Sequence, residues 1–258
     1  MMKRIVIITL GLATLAILLF TVYEAHSYYS LAGEREGYAV RQHKDDTLRV
    51  ILIGDSWVEM HGKYDGQLQR MLGEAIGRPV VVASAGCSGQ TSKEIYFSMS
   101  DCGAMRQLIA GSADYCVVIA GINDSNRKLG ASYYAYHIGR IMDFLLQCGI
   151  KPVVVELPDY NIDCCYHRQS RLRKLQTHTS MLITGCQIDC LNDFRVALEQ
   201  KLLSDFQEKD VLILRYPAWN NGGTTDWHHI YSDDQLHLNA TGYALLDSAL
   251  ATLIAAQP

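Results

Sequence analysis

Two distant segments of the sequence carry the residue types of a serine nucleophile and its helpers. Near the C-terminus, Asp234 and His237 are three residues apart, so a single turn can bring both side chains to one place. A serine hydroxyl is a weak nucleophile until a base takes its proton, and that base is usually a histidine oriented by a carboxylate. Ser56, which follows Gly54 and Asp55, is the candidate nucleophile. We predict that Asp234 holds the imidazole tautomer of His237 while the other ring nitrogen points at Ser56.

The reaction also needs hydrogen-bond donors, because an attacked ester carbonyl develops negative charge on its oxygen. Gly86 and Asn123 stand, like Ser56, at the ends of apolar runs. We predict an oxyanion hole formed by the backbone N–H groups of Ser56 and Gly86 and the side-chain amide of Asn123. Asp55 is interpreted as a hydrogen-bond acceptor that shapes the turn before Ser56.

Five short runs rich in Val, Ile and Leu precede or follow these segments. They show no alternation of apolar and polar residues, which is typical of strands buried on both faces of a parallel sheet. Stretches with helical periodicity separate them, and this alternation predicts an α/β fold with helices on both faces of the sheet. The predicted strands are Leu48–Gly54, Pro79–Gly86, Tyr115–Gly121, Lys151–Pro158 and Asp210–Tyr216, and the predicted helices are Tyr64–Ile76, Ser132–Cys148, Arg168–Thr184, Asp193–Phe206 and Ala240–Ala256.

The order of the strands decides whether Ser56 and Asn123 meet. Open α/β sheets bind ligands beyond the carboxyl ends of their strands, where the strand order reverses. With the order 2-1-3-4-5, that point lies between the first and third strands. Ser56 follows the first strand and Asn123 the third, so the two residues would face each other across the crevice.

Four blocks of the sequence resemble those of the SGNH or GDSL hydrolases, over roughly residues 48–250. The resemblance implies a three-layer α/β/α fold of the flavodoxin-like SGNH type, with a five-stranded parallel sheet, and a serine ester hydrolase that uses no cofactor. It implies Ser56 as nucleophile and first oxyanion donor, Gly86 and Asn123 as further donors, His237 as base and Asp234 as its partner. The blocks are Gly54-Asp55-Ser56-Trp57, Ser84-Ala85-Gly86-Cys87-Ser88-Gly89, Gly121-Ile122-Asn123-Asp124 and Asp234-Gln235-Leu236-His237.

The family acts on acetylated sugars, phospholipids, thioesters and small acyl esters. Aromatic side chains beside a polar crevice suit sugar rings, and the segment 217–229 is mostly polar. We therefore predict an esterase that removes O-acetyl or similar small acyl groups from carbohydrate of the cell envelope or outside the cell. Two alternatives stay open: a carbohydrate O-acetyltransferase with the same triad, and a catalytically silent glycan-binding domain on a membrane stalk. The tryptophans expected to contact the substrate are Trp57, Trp219 and Trp227.

The N-terminal segment has the pattern of a membrane anchor. Lys3 and Arg4 precede the 18 uncharged residues Ile5–Val22, which as a helix would span about 27 Å, roughly one bilayer core. The basic end is expected in the cytoplasm, which places the remainder on the extracytoplasmic side. We predict a retained anchor over residues 1–23, a linker over 24–47 and a hydrolase domain over 48–258; secretion after signal cleavage is the alternative.

Charge and cysteine usage limit the partners of the exported part. The formal net charge of −4 for the whole chain argues against nucleic-acid binding, which needs concentrated positive charge. No CxxC pair or HExxH pattern occurs, so a metal site has little support, although His228 and His229 stand near Asp233.

Export also makes disulfides possible among the eight cysteines. Cys87 with Cys102, and Cys186 with Cys190, could close short loops, while free thiols remain an equal alternative. Cys116 lies within an apolar run and is expected to be a buried thiol.

Overall fold

The structure, a computed structural model, describes residues 2–40, 43–101, 103–220 and 227–257. It divides into two compact units, residues 1–32 and 33–258. The first unit holds helix α1, Met2–Tyr29, and its stretch Thr9–Tyr29 is long and apolar enough to cross a membrane. No other helix among the described residues meets that test.

The boundary between the units differs from the expected linker over 24–47. Helix α1 continues through Tyr29, and the chain belongs to the second unit from residue 33. The backbone N–H of Arg35 donates to the Tyr96 hydroxyl (2.8 Å), and the Tyr38 hydroxyl donates to the Met99 carbonyl (3.0 Å). Part of the expected linker is therefore packed on the second unit by hydrogen bonds that its polar composition did not reveal.

The second unit is built on a five-stranded parallel sheet with the order β2-β1-β3-β4-β5. This is the predicted order, and it reverses between β1 and β3. Right-handed crossovers on the two sides of that point place helices on opposite faces of the sheet. The strands are β1 (Leu48–Gly54), β2 (Val80–Gly86), β3 (Tyr115–Ile119), β4 (Lys151–Val155) and β5 (Leu212–Leu214).

The three central strands have the burial expected of them, and β2 does not. Val50, Leu52 and Ile53 of β1 are fully buried. On β2, which lies at the edge of the sheet, Val80 is buried and Val81 is 48% exposed. The expectation of burial on both faces was wrong for β2, because a run of valines stays apolar even where only one face is covered.

The helices pack in two groups, α3 against α11 and α7 against α4 and α10. The short helices α2, α4, α5, α6 and α8 were not predicted. The expected helix Arg168–Thr184 begins at Arg171 instead, because Gln169 is extended and the Ser170 hydroxyl accepts the Arg173 N–H (3.3 Å) and so caps the new helix. The helices of this unit are α2 (Ser56–His61), α3 (Asp65–Ile76), α4 (Ser92–Ser100), α5 (Ala104–Ala110), α6 (Ile122–Asn126), α7 (Ala131–Gln147), α8 (Ile162–Arg168), α9 (Arg171–Thr184), α10 (Leu191–Asp205) and α11 (Ala240–Ala255).

The cysteines within the described residues are all free thiols. Cys116 is buried, as expected, and Cys102 lies outside the described residues. Cys186 and Cys190 are not joined. The Cys190 thiol lies 3.6 Å from the Lys128 ammonium group and 3.7 Å from the Ser125 carbonyl oxygen, to which it donates.

Candidate active site

Ser56 is positioned by the abrupt change from strand β1 to helix α2. The strand ends at Gly54, and Asp55 caps the helix by accepting the Trp57 N–H (3.0 Å). A side chain at residue 54 would place its Cβ only 2.1 Å from the Ile119 carbonyl oxygen of the neighbouring strand. The close approach of β1 and β3 therefore requires glycine immediately before the cap and places Ser56 at the first turn of α2.

The loop before α11 brings Asp234 and His237 to Ser56. His237 Nε2 lies 2.9 Å from Ser56 Oγ, and His237 Nδ1 lies 2.6 Å from Asp234 Oδ2. The other carboxylate oxygen of Asp234 accepts the backbone N–H groups of Leu236 (3.0 Å) and His237 (2.9 Å). Gln235 adopts a left-handed conformation (φ 56°), which closes the tight turn between the two residues.

These contacts hold Asp234 in its ionised form. Partial burial alone would raise the pKa of Asp234, but hydrogen bonds from the His237 side chain and from two backbone N–H groups outweigh burial and lower the pKa. An ionised Asp234 favours the His237 tautomer with its proton on Nδ1, which leaves Nε2 free to accept the Ser56 proton.

Asn123 lies in the same crevice, at the start of α6. Gly121 precedes it in a left-handed conformation (φ 113°), and a Cβ there would meet the Tyr134 ring at 2.4 Å. The side-chain amide of Asn123 donates to Asp55 Oδ2 (3.1 Å) and to the Gln90 carbonyl (3.0 Å). Both amide hydrogens are thus engaged, and a bound oxyanion would have to share one of them.

Gly86 has a different position from the one that its proposed role needs. The Cys87 N–H donates to the Gly54 carbonyl (3.1 Å), so the N–H of Gly86 points away from β1, towards the open edge of the sheet. A Cβ on Gly86 would lie 2.1 Å from the Glu59 amide nitrogen, so this glycine serves the close packing of α2 on β2.

Gly89, which the sequence analysis did not single out, lies beside the candidate site. Gly89 is left-handed (φ 79°), and it immediately precedes Gln90, whose carbonyl binds Asn123. The second glycine of the segment 86–89 was the available signal, since a turn that needs positive φ favours glycine.

Two buried carboxyl groups, those of Asp55 and Asp124, lie next to the candidate catalytic residues in the sequence. Asp55 is fully buried, and its burial raises the pKa to about 7 despite the hydrogen bonds from Trp57 and Asn123. Asp124 is also fully buried and accepts the backbone N–H (2.8 Å) and the hydroxyl (2.5 Å) of Ser92. Burial raises the pKa of Asp124 to about 6.

The tryptophans expected at the substrate have different environments. Trp57 is 0% exposed and meets Trp219, which is 2% exposed, edge to face at 6.0 Å. Both are core residues, which corrects the expectation that they contact substrate: the residue after Ser56 turns about 100° around the helix and points into the protein. Trp227 is half-buried, with its ring 5.7 Å from that of Tyr231.

Within the described ranges, no group of three or more His, Cys, Asp and Glu side chains is arranged to hold a metal ion. Nε2 of His228 lies 3.4 Å from Nε2 of Gln235, so one of the residues named as a possible ligand contacts a side-chain amide.

Comparison with protein families identifies the chain. The model of the GDSL-like lipase/acylhydrolase family matches residues 52–245, which include every residue of the candidate site. The chain belongs to the GDSL-like lipase/acylhydrolase family. The family, together with the geometry of Ser56, His237 and Asp234, makes this GDSL-like protein an ester hydrolase.

Solved structures with the same fold include other GDSL-type hydrolases and carbohydrate esterases. A family 3 carbohydrate esterase from Clostridium thermocellum has a TM-score of 0.57 at 15% identity, over 81% of this chain and 95% of that chain. An acetylxylan esterase from Geobacillus stearothermophilus has a TM-score of 0.57 at 16% identity, over 80% and 94%. A lipase/acylhydrolase from Enterococcus faecalis has a TM-score of 0.56 at 16% identity, over 81% and 95%. No curated protein matches this GDSL-like chain significantly.

Proposed function

We propose that Ser56 is the nucleophile of a two-step ester hydrolysis, with His237 as general base and acid and Asp234 as its orienting partner. The contact of 2.9 Å between His237 Nε2 and Ser56 Oγ carries this proposal. Ser56 Oγ attacks the ester carbonyl as its proton moves to His237 Nε2. The same proton then passes to the leaving alkoxide, which departs as an alcohol and leaves an acyl group on Ser56. Water, deprotonated by His237, releases the acid in the second step.

The negative charge on the tetrahedral intermediate is assigned to three donors. The backbone N–H of Ser56 and the side-chain amide of Asn123 are two of them. The sequence predicted the backbone N–H of Gly86 as the third donor. The direction of that N–H, and the position of the left-handed Gly89 beside Gln90, favour the backbone N–H of Gly89 instead. Asp55 holds the Asn123 amide at the crevice by accepting one of its hydrogens.

The substrate proposed is an O-acetyl or similar small acyl ester of a carbohydrate. Two of the solved structures with this fold are a carbohydrate esterase and an acetylxylan esterase. The segment 217–229, which leads to the catalytic loop, is mostly polar, and Trp227 is the tryptophan of that segment with a partly exposed ring. A sugar ring that stacks on Trp227 would lie in a polar surrounding, as sugar hydroxyl groups require.

We also propose that α1 is retained as a membrane anchor and that the catalytic unit acts on the extracytoplasmic side. The apolar stretch Thr9–Tyr29 and the basic residues Lys3 and Arg4 before it support this orientation. Protein that resists alkaline extraction from membranes and keeps its N-terminus would support retention. A mature soluble form that begins near Ser27 would show cleavage instead.

Active-site labelling and product analysis test the enzymatic proposal together. A fluorophosphonate probe should label the wild-type protein and leave Ser56→Ala unlabelled, while the two proteins melt at similar temperatures. Acetate release should then be measured on acetylated glycans and on esters of increasing acyl length, with and without a sugar acceptor. Free acetate supports the hydrolase, acetyl transferred to the acceptor supports the transferase, and binding without labelling supports the silent glycan-binding domain.

A further inference from the structure

Helix α9 has its apolar and polar faces inverted relative to an ordinary surface helix. The residues that it buries against the protein are polar, Thr177 and Ser180. Its large apolar side chains face solvent and are 55–88% exposed. Helices of soluble proteins normally bury such residues. We call the exposed set the leucine face; it consists of Leu172, Leu175, Leu182 and Ile183.

The leucine face forms one continuous stripe. At 100° per residue, its four members lie within about 100° of one another around the helix axis. The buried Thr177 lies on the opposite side, and the buried Ser180 lies between Thr177 and the edge of the stripe. A stripe of this width is typical of a helix that rests on an apolar surface. Since the polar face already packs on the protein, the leucine face is directed to a partner outside this unit.

Positive charge is concentrated at the N-terminal end of α9. The 25 residues 164–188 contain no Asp or Glu and four Lys or Arg, in a chain whose net charge is −4. Within the described part of the chain, Arg171, Arg173 and Lys174 form no salt bridge; the Lys174 ammonium group lies 5.3 Å from the centre of the Tyr166 ring. Their charge is therefore available to an anionic partner.

The leucine face stands beside the catalytic loop. Arg168, the last residue of α8, donates to the Asp233 carbonyl (2.9 Å), and the Asn161 side chain donates to that of Gln235 (2.6 Å). Helix α9 begins three residues after Arg168. A surface bound by α9 would accordingly lie near the mouth of the site.

We propose that the leucine face docks on the surface of an anionic lipid bilayer. Arg171, which lies beside the leucine face, would meet the headgroups, and Arg173 and Lys174 add positive charge at the same end of the helix. Exposed leucines flanked by Lys and Arg are the pattern of an interfacial helix, and α1 is a second element suited to a membrane. Residues 30–34 alone separate α1 from Arg35, whose N–H is bonded to Tyr96. Five residues reach at most about 20 Å, so the connection between α1 and the catalytic unit is short.

A second copy of the chain fits this surface less well. A helix of 14 residues is about 21 Å long and offers far less than the roughly 800 Å² per partner of a stable dimer.

Photo-crosslinking in the full chain tests the proposal. p-Benzoylphenylalanine replaces Leu182 of α9 in one protein and Leu203 of α10 in another; Leu203 is also exposed (62%) but has acidic neighbours, Asp205 and Glu208. Each protein is reconstituted in phosphatidylcholine vesicles with and without about one third phosphatidylglycerol. We expect at least about tenfold more lipid adduct at Leu182 than at Leu203 in the anionic vesicles, and less adduct at Leu182 in the neutral ones.

Charge variants supply the second comparison. Each Lys or Arg near an anionic surface contributes about a factor of five to partition, so Arg171→Gln with Arg173→Gln and Lys174→Gln should weaken docking about a hundredfold and lower the adduct at Leu182 to the level at Leu203. Lys63→Gln with Arg70→Gln and Arg78→Gln removes the same charge elsewhere on the exposed surface and should leave the adduct unchanged.

A further protein carries p-benzoylphenylalanine in place of Leu175, in case the protein labelled at Leu182 does not fold. Hydrolysis of a water-soluble ester in detergent should be equal in all these proteins, so docking and catalysis are read separately. Equal lipid adduct at Leu182 and Leu203, adduct that survives the α9 charge variant, or crosslinks chiefly between protein copies would each overturn the proposal.

Discussion

His61 and Asp247 form a fully buried pair, with the imidazole Nε2 2.6 Å from the carboxylate Oδ1. The pair joins α2, which begins at Ser56, to α11, which follows the loop of His237. Gln67 donates to the second oxygen of Asp247 (2.9 Å), and His61 Nδ1 lies 3.1 Å from Asp65. The pair therefore connects the helix that begins at Ser56 with the helix that follows His237.

The charge on His61 strengthens this connection. Burial alone would lower the pKa of His61, but the hydrogen bonds to Asp247 and Asp65 outweigh it and raise the pKa to about 9. Breaking a buried pair by removing one partner usually costs about 3–5 kcal/mol. We expect His61→Ala and Asp247→Ala each to lower the free energy of unfolding, measured in urea, by an amount of this order.

The double variant separates a pair from two independent residues. Because His61 and Asp247 contact each other, the loss in the double variant should be clearly smaller than the sum of the two single losses. The folded-state pKa of His61 is raised, so its contribution is complete below pH 6.5 and is lost as pH rises through about 9. The difference between wild type and His61→Ala should shrink over that range, and strictly additive losses would contradict the pairing.

Asp234 and Asp233 offer a matched pair of variants. Asp234→Asn replaces the acceptor 2.6 Å from His237 Nδ1, while the exposed Asp233 offers its backbone carbonyl to Arg168. Asp234→Asn should lower kcat by about 10²–10⁴, because the amide no longer selects the required imidazole tautomer. Asp233→Asn should change kcat less than about threefold. A larger effect at Asp233 would overturn the assigned roles.

Asn123 should affect the transition state more than substrate binding. Loss of one oxyanion donor typically lowers kcat by about 10²–10³, so Asn123→Ala should lower kcat by that factor with little change in KM. Asn126→Ala, on the same short helix α6, serves as the control and should keep wild-type kinetics. A raised KM with unchanged kcat would instead make Asn123 a residue that binds the substrate ground state.

The strands and the turn that brings Asp234 to His237 could be predicted because each depends on local signals, whereas the order of the strands was implied by the resemblance. The apolar runs before Ser56 and Asn123 end at glycine, and parallel strands bring such ends to one edge. The spacing of Asp234 and His237 fits a single turn, and the turn forms around Gln235. These parts of the site could therefore be predicted from residues close to each motif in the sequence.

Other features depend on contacts between distant residues and were not predictable in the same way. Trp57 follows the nucleophile, but its burial comes from packing against Trp219 and Tyr231. The start of α9 at Arg171 had a local signal, the cap residue Ser170, but the predicted helix began three residues earlier, at Arg168. The direction of the Gly86 N–H follows from the register of β2 against β1, which no composition of the strand reveals.

Asp124 makes the stability of the fold depend on pH in the mildly acidic range. Its burial raises the pKa from the ordinary 3.8 to about 6, so the folded state binds a proton that the unfolded state has lost. Stability from this group is complete below pH 3.8 and is lost as pH rises through about 6, by at most about 3 kcal/mol. The raised pKa of Asp55, about 7, acts in the same direction.

Asp124→Asn should remove much of that dependence without disturbing the site. An amide mimics the protonated acid: its oxygen can accept the Ser92 N–H and its NH₂ group can donate to the Ser92 hydroxyl, the two groups that Asp124 contacts. We expect wild-type melting temperature to fall between about pH 4.5 and 7, and that of Asp124→Asn to fall less. Asp46→Asn, at a side chain that is 81% exposed, should keep the wild-type slope. Parallel curves for wild type and Asp124→Asn would show that Asp124 is ionised throughout this range, in spite of its burial.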